Sequence, residues 1–209
     1  MKNSKGVSFI AIGLLLILGA VILTGYNVYD AKRAEKAAQI AVSEMNEYLS
    51  EKREEVENYT KYEEVEFIPD YVLYPEMEMP VKDIDGGKYV GVIEIPSLNV
   101  SLPVMSEMTN SNLKISPCRY AGTAYLDGFV IGAHNYRSHF ADLKLLQNGD
   151  RIIFHDNAGN TFNYMVLFTE NLEPKQVEEM KTDEWSLTLF TCTPGGQYRV
   201  TVRCEKIEE

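Results

Sequence analysis

The hydrophobic pattern divides the chain into an apolar N-terminal run, a polar middle and a C-terminal part made of short alternating segments. The first run, VSFIAIGLLLILGAVILTGY from Val7 to Tyr26, contains no charged residue. As an α-helix it spans roughly 30 Å, the thickness of the hydrocarbon core of a bilayer. A cleaved signal peptide is the alternative, but its apolar core is shorter and ends at a small-residue cleavage motif. Since no such motif is evident here, we predict an uncleaved membrane anchor at 7–26 and a short tail at 1–6.

The charges that flank the apolar run do not decide its orientation in the membrane. Lys2 and Lys5 precede it, whereas Lys32, Arg33 and Lys36 follow it. The cytoplasmic side normally carries the excess of Lys and Arg. Because both sides carry basic residues here, the charge pattern alone leaves the topology open.

The polar middle of the chain predicts a helical stalk at 27–60. It is rich in Ala, Glu and Lys, contains no Gly or Pro, and offers Asp30 as an N-cap. Its larger apolar residues form only a thin stripe, which consists of Ile40, Met45, Leu49 and Val56. A solvated spacer is therefore predicted. A dimerising coiled coil is the alternative, but the stretch lacks sustained heptads.

Prolines and a closing Gly86-Gly87 pair give residues 61–87 the composition of a linker. The segment nevertheless carries more apolar residues than a free linker needs, namely Phe67, Ile68, Tyr71, Val72, Leu73 and Tyr74. Two alternatives follow from this excess. Either the segment packs along the following domain, or it covers an active site as a lid.

From residue 88 to residue 209 the pattern changes to short strands separated by turns. Strands are expected at 89–95, 100–104, 129–133, 151–156, 161–168, 185–192 and 198–204, with NAGN and TPGGQ as hairpin turns. One short helix is expected between Ser138 and Gln147, with Phe140, Leu143 and Leu146 on one side. Seven or eight short strands and one helix predict a closed or nearly closed β-barrel of about 120 residues.

Composition narrows the functional classes. A chain of 209 residues that is 45% hydrophobic suits one globular domain with accessory segments. The formal net charge of -11 argues against a nucleic-acid partner, which requires a basic surface. The three cysteines, Cys118, Cys192 and Cys204, are too few for a disulfide framework, and their odd number leaves at least one free thiol.

The stretch LTLFTCTPGGQYRV, residues 187–200, carries the candidate chemistry. An apolar strand ends at Cys192, a Pro-Gly-Gly turn follows, and the chain returns with Arg199. In such a hairpin the two residues are near cross-strand neighbours, with roughly 5 Å between their Cβ atoms if they are directly opposed. A nearby cation favours the nucleophilic thiolate, and an arginine there can hold a carbonyl or an oxyanion. The alternative from the hairpin alone is a surface arginine beside a buried cysteine.

A cysteine mechanism also needs a histidine, and the chain has three. His134 follows the apolar strand FVIGA, and His139 lies in the loop that enters the expected short helix. His155 precedes a turn, where a plain surface role is expected. Spacing alone does not decide between His134 and His139.

These residues resemble the sortase family. The family pattern T-L-x-T-C with a downstream arginine is similar to TLFTC, Thr188 to Cys192, followed by Arg199. The segment around the sortase histidine is similar to YAGTAYLDGFVIGAHNYRSHFADLKLLQNGDRI, which supplies Gly122-Thr123, His134, Phe140, Leu143 and Gly149-Asp150 in the expected order. The resemblance extends over about residues 89–206, which is nearly the whole presumed domain.

The resemblance implies a mainly β fold, an eight-stranded sortase-type β-barrel with one or two short helices after the transmembrane helix and stalk. It also implies a cysteine transpeptidase. Cys192 would attack the scissile carbonyl and form a thioacyl intermediate. His134 would be the general acid for the leaving amine and the base for the incoming one, and Arg199 would stabilise the oxyanion. His139 lies off the motif.

The substrates implied by the family are secreted proteins with an LPXTG-like C-terminal sorting signal. The acceptor is an amine of a peptidoglycan precursor or of a pilin. This implies a single-pass protein of a Gram-positive type of cell envelope, with a cytoplasmic N-terminus and an extracellular catalytic domain at 88–209. No organic cofactor is implied. Some members bind calcium, but the sequence has no compact carboxylate cluster for it. Housekeeping anchoring, specialised sorting and pilus polymerisation all stay open.

Two other functions use the same sequence features. A cysteine protease would use Cys192, His134 and Arg199 with water as the acceptor. A non-enzymatic anchored binding barrel would not need a reactive Cys192 at all. Cys204 lies on the strand face opposite Arg199 and is expected to be a buried apolar residue. A Cys118–Cys204 disulfide is the less favoured alternative, since nothing in the sequence brings the two sulfurs together.

Overall fold

A computed structural model describes the backbone of residues 4–63 and 68–208 and the side chains of residues 8–58 and 68–208. Phe67 and the first three residues of the predicted tail therefore lie outside the described residues. The flanking charges of Lys2 and Lys5 likewise fall outside the described side chains.

The first element is one long helix, α1, from Ser4 to Glu63. Its described part contains one stretch that is long and apolar enough to cross a membrane. The large apolar side chains from Phe9 to Leu23 are exposed, as the surface of a membrane-spanning helix requires. The predicted N-terminal apolar helix is thus confirmed. Asp30 lies well inside α1 and is not an N-cap, because the apolar run and the stalk form a single uninterrupted helix.

The second half of α1 packs against the barrel, so the prediction of a solvated spacer is wrong. One face is buried along its length by Ala34, Ala38, Ala41, Met45 and Leu49, which recur at intervals of three or four residues. Ile40 points away from this face and is 46% exposed. Small alanine side chains let the helix approach the strands closely. The sequence pattern of large apolar residues does not reveal this stripe, because three of its five members are alanines.

In the described part of the chain nine strands follow, and eight of them form the closed barrel that was predicted. Around the barrel the order is β2, β3, β4, β5, β8, β9, β7 and β6, and β6 pairs back with β2. The additional strand, β1, pairs only with the start of β2. The bounds are β1 Lys82–Ile84, β2 Gly87–Ile95, β3 Val100–Met105, β4 Cys118–Ala121, β5 Phe129–Ala133, β6 Arg151–Asp156, β7 Thr161–Leu172, β8 Leu187–Cys192 and β9 Arg199–Ile207.

Most strand pairs are antiparallel, but β3–β4 and β5–β8 are parallel. The second parallel pair matters for function, because it brings the C-terminal ends of β5 and β8 to the same edge of the barrel. The interior is filled by alternate residues of all these strands, among them Phe129, Ile131, Phe154, Leu189 and Val202.

Helices are few and short in the described part of the barrel domain. They are α2 (Asp70–Leu73), α3 (Val177–Met180) and three 3-10 turns at Pro96–Leu98, Asn112–Lys114 and Leu143–Leu145. The helix expected between Ser138 and Gln147 is therefore only a single 3-10 turn. Its expected apolar side is nevertheless buried, because Phe140, Leu143 and Leu146 anchor this loop in the core.

The described part of the 61–87 segment packs along the barrel. The ring of Tyr71 stacks on that of Tyr125 with 5.0 Å between centroids, and Met79 is buried. Lys206, near the end of β9, lies 5.7 Å above the Tyr71 ring. Since Lys206 is seven residues beyond Arg199, Tyr71 contacts β9 about 23 Å from the strand end that carries Arg199.

Candidate active site

The register of three neighbouring strands brings Cys192, Arg199 and His134 to one end of the barrel. Cys192 is the last residue of β8 and is directly paired with Arg199, the first residue of β9. In the parallel pair β5–β8, Ala133 is paired with Thr191. His134 and Cys192 are therefore the residues that come directly after this Ala133–Thr191 pair. All three predicted site residues thus lie at the same edge of the barrel, on or directly after adjacent strands.

The side chains of Cys192 and Arg199 project to the outer face of the barrel. Along β8 the residues Leu187 and Leu189 belong to the interior core, so the alternation of a strand directs Cys192 outward. On β9 the interior residues are Val200 and Val202, which directs Arg199 outward as predicted. Both outward side chains are half-buried, so neither is sealed in the core.

Thr191 fixes the two strand ends that carry the candidate nucleophile and histidine. Its side chain is buried, and its Oγ1 donates a 2.9 Å hydrogen bond to the carbonyl oxygen of Ala133. This bond joins the residue before Cys192 to the residue before His134. A buried bond of this kind limits the relative movement of the two strand ends.

The turn between β8 and β9 needs its two glycines. Gly195 and Gly196 have φ angles of 85° and 72°, which side chains of L-residues rarely tolerate. The turn is closed by Thr193, whose N–H donates to the Tyr198 carbonyl at 2.9 Å and whose Oγ1 accepts from the Tyr198 N–H at 3.1 Å. The turn thereby holds Arg199 opposite Cys192.

The guanidinium of Arg199 bonds to its own turn. Its Nη1 donates to the carbonyls of Gly196 and Tyr198 at 3.3 and 3.4 Å. A guanidinium has five N–H donors, so these two long bonds orient the group and leave donors for a further acceptor. Because Arg199 is paired with Cys192, a substrate oxygen beside the Cys192 sulfur is well placed to accept a hydrogen bond from these donors.

The ring of His134 is half-buried and packs beside that of Tyr136, with 4.9 Å between centroids. Burial lowers the pKa of His134, and the positive charge of Lys114 acts in the same direction. The carboxylate of Asp30 opposes both effects by raising the pKa. Asp30 belongs to α1 and accepts a 2.7 Å hydrogen bond from the Tyr136 hydroxyl. Neither Asp30 nor Tyr136 was singled out for this site from the sequence, because 106 residues separate them.

The other two histidines occupy different environments. His139 is only 1% exposed, and burial lowers its pKa to about 4. It packs on the far side of Tyr136, with 5.3 Å between ring centroids. His155 is half-buried on β6, where its Nδ1 lies 2.8 Å from Arg53 Nη2 of α1. The expected plain surface role of His155 is therefore wrong, because the ring contacts the docked helix.

A patch of partly buried apolar side chains lies beside the cysteine on the outer face. A methyl group at Gly132 would lie 2.5 Å from both Met108 Cε and Phe190 Cζ, so these side chains rest directly on the glycine. Phe190 also meets Tyr120 edge to face at 5.4 Å. Because Gly132 and Phe190 precede His134 and Cys192 by two residues each, this apolar patch lies next to the candidate catalytic end of the strands.

The loop that carries α3 is tied to the barrel by Arg203, a buried arginine of β9. Its Nη2 donates to the Glu179 carbonyl of α3 at 2.6 Å, its Nε to Glu170 at 2.8 Å, and its Nη1 to Thr188 at 3.0 Å. This loop covers the outer face through Met180, which packs with Val130.

The two remaining cysteines are buried free thiols. Cys204 lies in the barrel core, as expected, and Cys118 lies under α1 in a separate cluster. They do not form a disulfide. Burial raises the pKa of Cys118 to about 12, and the pKa of Cys204 is raised for the same reason. Both thiols are therefore poor nucleophiles, in contrast to the accessible position of Cys192.

In the described part of the chain, no group of three or more His, Cys, Asp or Glu side chains is close enough to hold a metal ion.

Comparison with known proteins points to one family. The sortase domain model matches residues 93–207, which is more than half of the chain. The chain is also similar to sortase A of Bacillus anthracis, with 28% identity over 201 residues that cover 92% of this chain and 89% of that protein.

Solved structures with the same fold carry the same family name. A Clostridium perfringens sortase D5 transpeptidase superposes with a TM-score of 0.59 at 18% identity, covering 83% of this chain and 99% of that one. Sortase C of Clostridium perfringens SM101 superposes with a TM-score of 0.51 at 26% identity, covering 80% and 90%. Relatives of types A, C and D are therefore all represented, and the subclass stays open.

Proposed function

Because this chain belongs to the sortase family, we propose that it is a membrane-anchored cysteine transpeptidase for secreted proteins with an LPXTG-like C-terminal sorting signal. The acceptor is an amine, either of a cell-wall precursor or of a pilin. The reaction exchanges one amide bond for another, and a thioester to the enzyme is the intermediate.

The observation that carries the proposal is the strand register. Cys192 is paired with Arg199, and the Ala133–Thr191 pair immediately precedes His134 and Cys192. A nucleophile, an acid–base group and an oxyanion donor thus meet at one edge of the barrel. This is the set of groups that acyl transfer through a thioester requires.

The first half-reaction forms the thioester. The Cys192 thiolate attacks the scissile carbonyl, and the carbonyl oxygen becomes an oxyanion that accepts hydrogen bonds from Arg199. The tetrahedral intermediate then expels the amine of the C-terminal fragment. His134 in its imidazolium form gives this amine a proton, so that it leaves as a neutral group.

The second half-reaction releases the product. Neutral His134 takes a proton from the incoming amine as its nitrogen attacks the thioester carbonyl, and Arg199 again stabilises the oxyanion. The Cys192 sulfur leaves as a thiolate. The products are a new amide bond and the starting state of the enzyme, a thiolate beside an imidazolium.

The apolar patch that Phe190 and Met108 form over Gly132 supports a peptide substrate that binds beside Cys192. Apolar surface with a few polar groups at one end is typical of binding sites for short peptides and small ligands. We propose that the apolar residues of the sorting signal contact this patch and that the scissile bond lies over the sulfur.

The short distance along α1 between its apolar run and Asp30 supports a position of the active site close to the membrane surface. Asp30 lies four residues after Tyr26, the end of the apolar run, which corresponds to about 6 Å along the helix axis. Since Asp30 bonds to Tyr136 beside His134, the site lies near the lipid headgroups. We propose a single-pass topology with a cytoplasmic N-terminus and an extracellular domain, where secreted proteins and envelope amines meet.

Intact-mass analysis of the full chain in detergent micelles tests this function. The chain is incubated with a panel of LPXTG-like peptides, and an oligoglycine amine is added in a second step. Cys192→Ala serves as the control, because it removes the nucleophile. The full chain is required, since the buried face of α1 is part of the folded domain.

The expected result is a mass increase equal to the peptide without its leaving group, on the wild type alone, that disappears faster when the amine is added. An adduct that decays equally fast without amine would instead identify a cysteine protease that uses water. A folded wild-type chain that forms no adduct with any peptide in the panel would contradict the proposal.

A further inference from the structure

The membrane-anchored helix contributes a carboxylate to the surroundings of the candidate acid–base histidine. Asp30 of α1 is only 8% exposed and accepts a 2.7 Å hydrogen bond from Tyr136. The Tyr136 ring packs on His134 with 4.9 Å between centroids and an interplanar angle of 37°. A continuous chain of contacts therefore joins the helix that enters the membrane to the imidazole.

A buried carboxylate at this position is not needed for packing. Asp30 lies one turn before Ala34, at the end of the stripe that docks α1 through Ala38 and Met45. An alanine there would continue the stripe, whereas a carboxylate must be compensated for its loss of water. Tyr136 and Arg33, whose Nη2 lies 3.2 Å from Asp30 Oδ1, provide that compensation.

Charged and titratable groups face His134 from several elements. Asp30 of α1 favours the imidazolium, whereas Lys114 of the 3-10 turn Asn112–Lys114 disfavours it. Tyr136 stays protonated, because burial and its bond to Asp30 raise its pKa to about 12. His139 packs against Tyr136 and is neutral near pH 7, since burial lowers its pKa to about 4. Cys192 and Arg199 lie at the paired ends of β8 and β9 on the same edge of the barrel, and the Cys192 thiolate of the proposed mechanism also favours the imidazolium. Asp30 adds a carboxylate to these groups from a different element, α1.

We propose that Asp30 is a positioning residue for His134: through Tyr136 it orients the imidazole, and its charge favours the imidazolium that protonates the leaving amine. The inference rests on the proposed function, because it assigns His134 the acid–base role. It implies that the membrane-proximal helix completes the active site and is more than a tether.

Histidine titration by NMR tests the inference without a substrate. The full chain is labelled with ¹³C-histidine, reconstituted in detergent micelles, and titrated as wild type, Asp30→Asn, Tyr136→Phe and Glu47→Gln. The His134 signal is assigned as the one that is missing from His134→Asn. Glu47→Gln is the matched control, since it removes one carboxylate from the exposed side of the same helix.

Asp30→Asn keeps the shape and an acceptor for Tyr136 but removes the charge. We expect the pKa of His134 to fall relative to Glu47→Gln, because the Asp30 carboxylate raises it. Tyr136→Phe leaves the charge of Asp30 but removes the hydrogen bond that fixes the aromatic ring of residue 136. A smaller fall in the pKa of His134 is therefore expected. A His134 pKa in Asp30→Asn that equals that of Glu47→Gln, in a chain with unchanged helical circular dichroism, would overturn the inference.

Thioester formation provides an independent readout. A lower pKa reduces the fraction of imidazolium at a pH above the pKa, so Asp30→Asn should lower the adduct rate, by up to about fivefold for a partly screened charge pair, without changing the KM of the peptide. Asp30→Glu should recover part of the rate, which loss of packing alone does not explain. Absence of any adduct in the wild type would refute the proposed function, but the NMR comparison would still decide the coupling.

Discussion

Cys192 and Arg199 are directly opposed across the antiparallel strands β8 and β9, and both project outside the barrel. The guanidinium is held by two carbonyls of the turn between them, those of Gly196 and Tyr198. A donor that is oriented before the substrate arrives loses little freedom when it binds an oxyanion. Arg199 is therefore better suited to transition-state stabilisation than a freely mobile surface arginine.

Replacement of Arg199 by Ala should lower the rate of thioester formation by about 10²- to 10³-fold, the usual effect of losing one oxyanion donor. The rate is measured by intact mass with the best peptide of the panel. Arg137→Ala is the control, because Arg137 is exposed in the loop after His134. The unfolding temperature should change little, since the described hydrogen bonds of the Arg199 side chain go only to its own turn. A rate within threefold of the control would contradict the role of Arg199.

Elements with a clear two-residue alternation were predictable from the sequence. Strands β5 and β6 have the expected bounds, because both consist of apolar runs that end at a turn. Strand β4 was missed, since Cys118–Ala121 is short and its parallel partner β3 contributes a single paired residue, Met105. Long-range pairing, and not local propensity, determines such a strand.

The part of the site that lies within one hairpin was predictable from the sequence. The TPGGQ turn by itself brings Cys192 close to Arg199, and the family resemblance added His134. The contribution of α1 could not be predicted, because Asp30 and Tyr136 meet only when the helix docks. Alanine at the docking face gives no strong hydrophobic signal, although Ala34, Ala38 and Ala41 are almost fully buried.

Arg203 should be required to hold the α3 loop against the outer face of the barrel. Arg203→Met removes the donors to Glu170, Thr188 and the Glu179 carbonyl, and it leaves the Glu170 carboxylate without its arginine partner. We expect the free energy of unfolding to fall by about 2–4 kcal/mol and amide hydrogen exchange to accelerate in α3. Arg203→Lys keeps the charge and should recover part of the loss. Unchanged exchange in α3 would show that the loop is held by other contacts.

Burial of His139 should make the stability of the chain depend on pH. Its pKa is lowered to about 4, against about 6.5 in the unfolded chain, so the unfolded state binds the proton first as the pH falls. The His139 contribution to stability should therefore rise with pH between about 4 and 6.5, by about 3 kcal/mol, and it is absent below pH 4. His155 contributes over the same range, because its pKa is also lowered to about 4. His139→Phe should therefore reduce the slope in denaturant unfolding without removing it, whereas exposed Lys144→Gln should leave it unchanged. An unchanged slope in His139→Phe would assign the effect to other groups.

Docking of α1 should contribute directly to the stability of the barrel. Met45 is fully buried against Val92, Met105 and Cys118, whereas Ile40 of the same helix is 46% exposed. Met45→Ala should therefore lower the free energy of unfolding by about 2–4 kcal/mol through the cavity that it leaves. Ile40→Ala, the matched control, should change it by less than about 0.5 kcal/mol. Both are measured by denaturant unfolding in the same micelles, with alkylation of Cys118 as a second probe. Equal effects of the two substitutions, with Cys118 protected in both, would mean that α1 does not cover the barrel in solution.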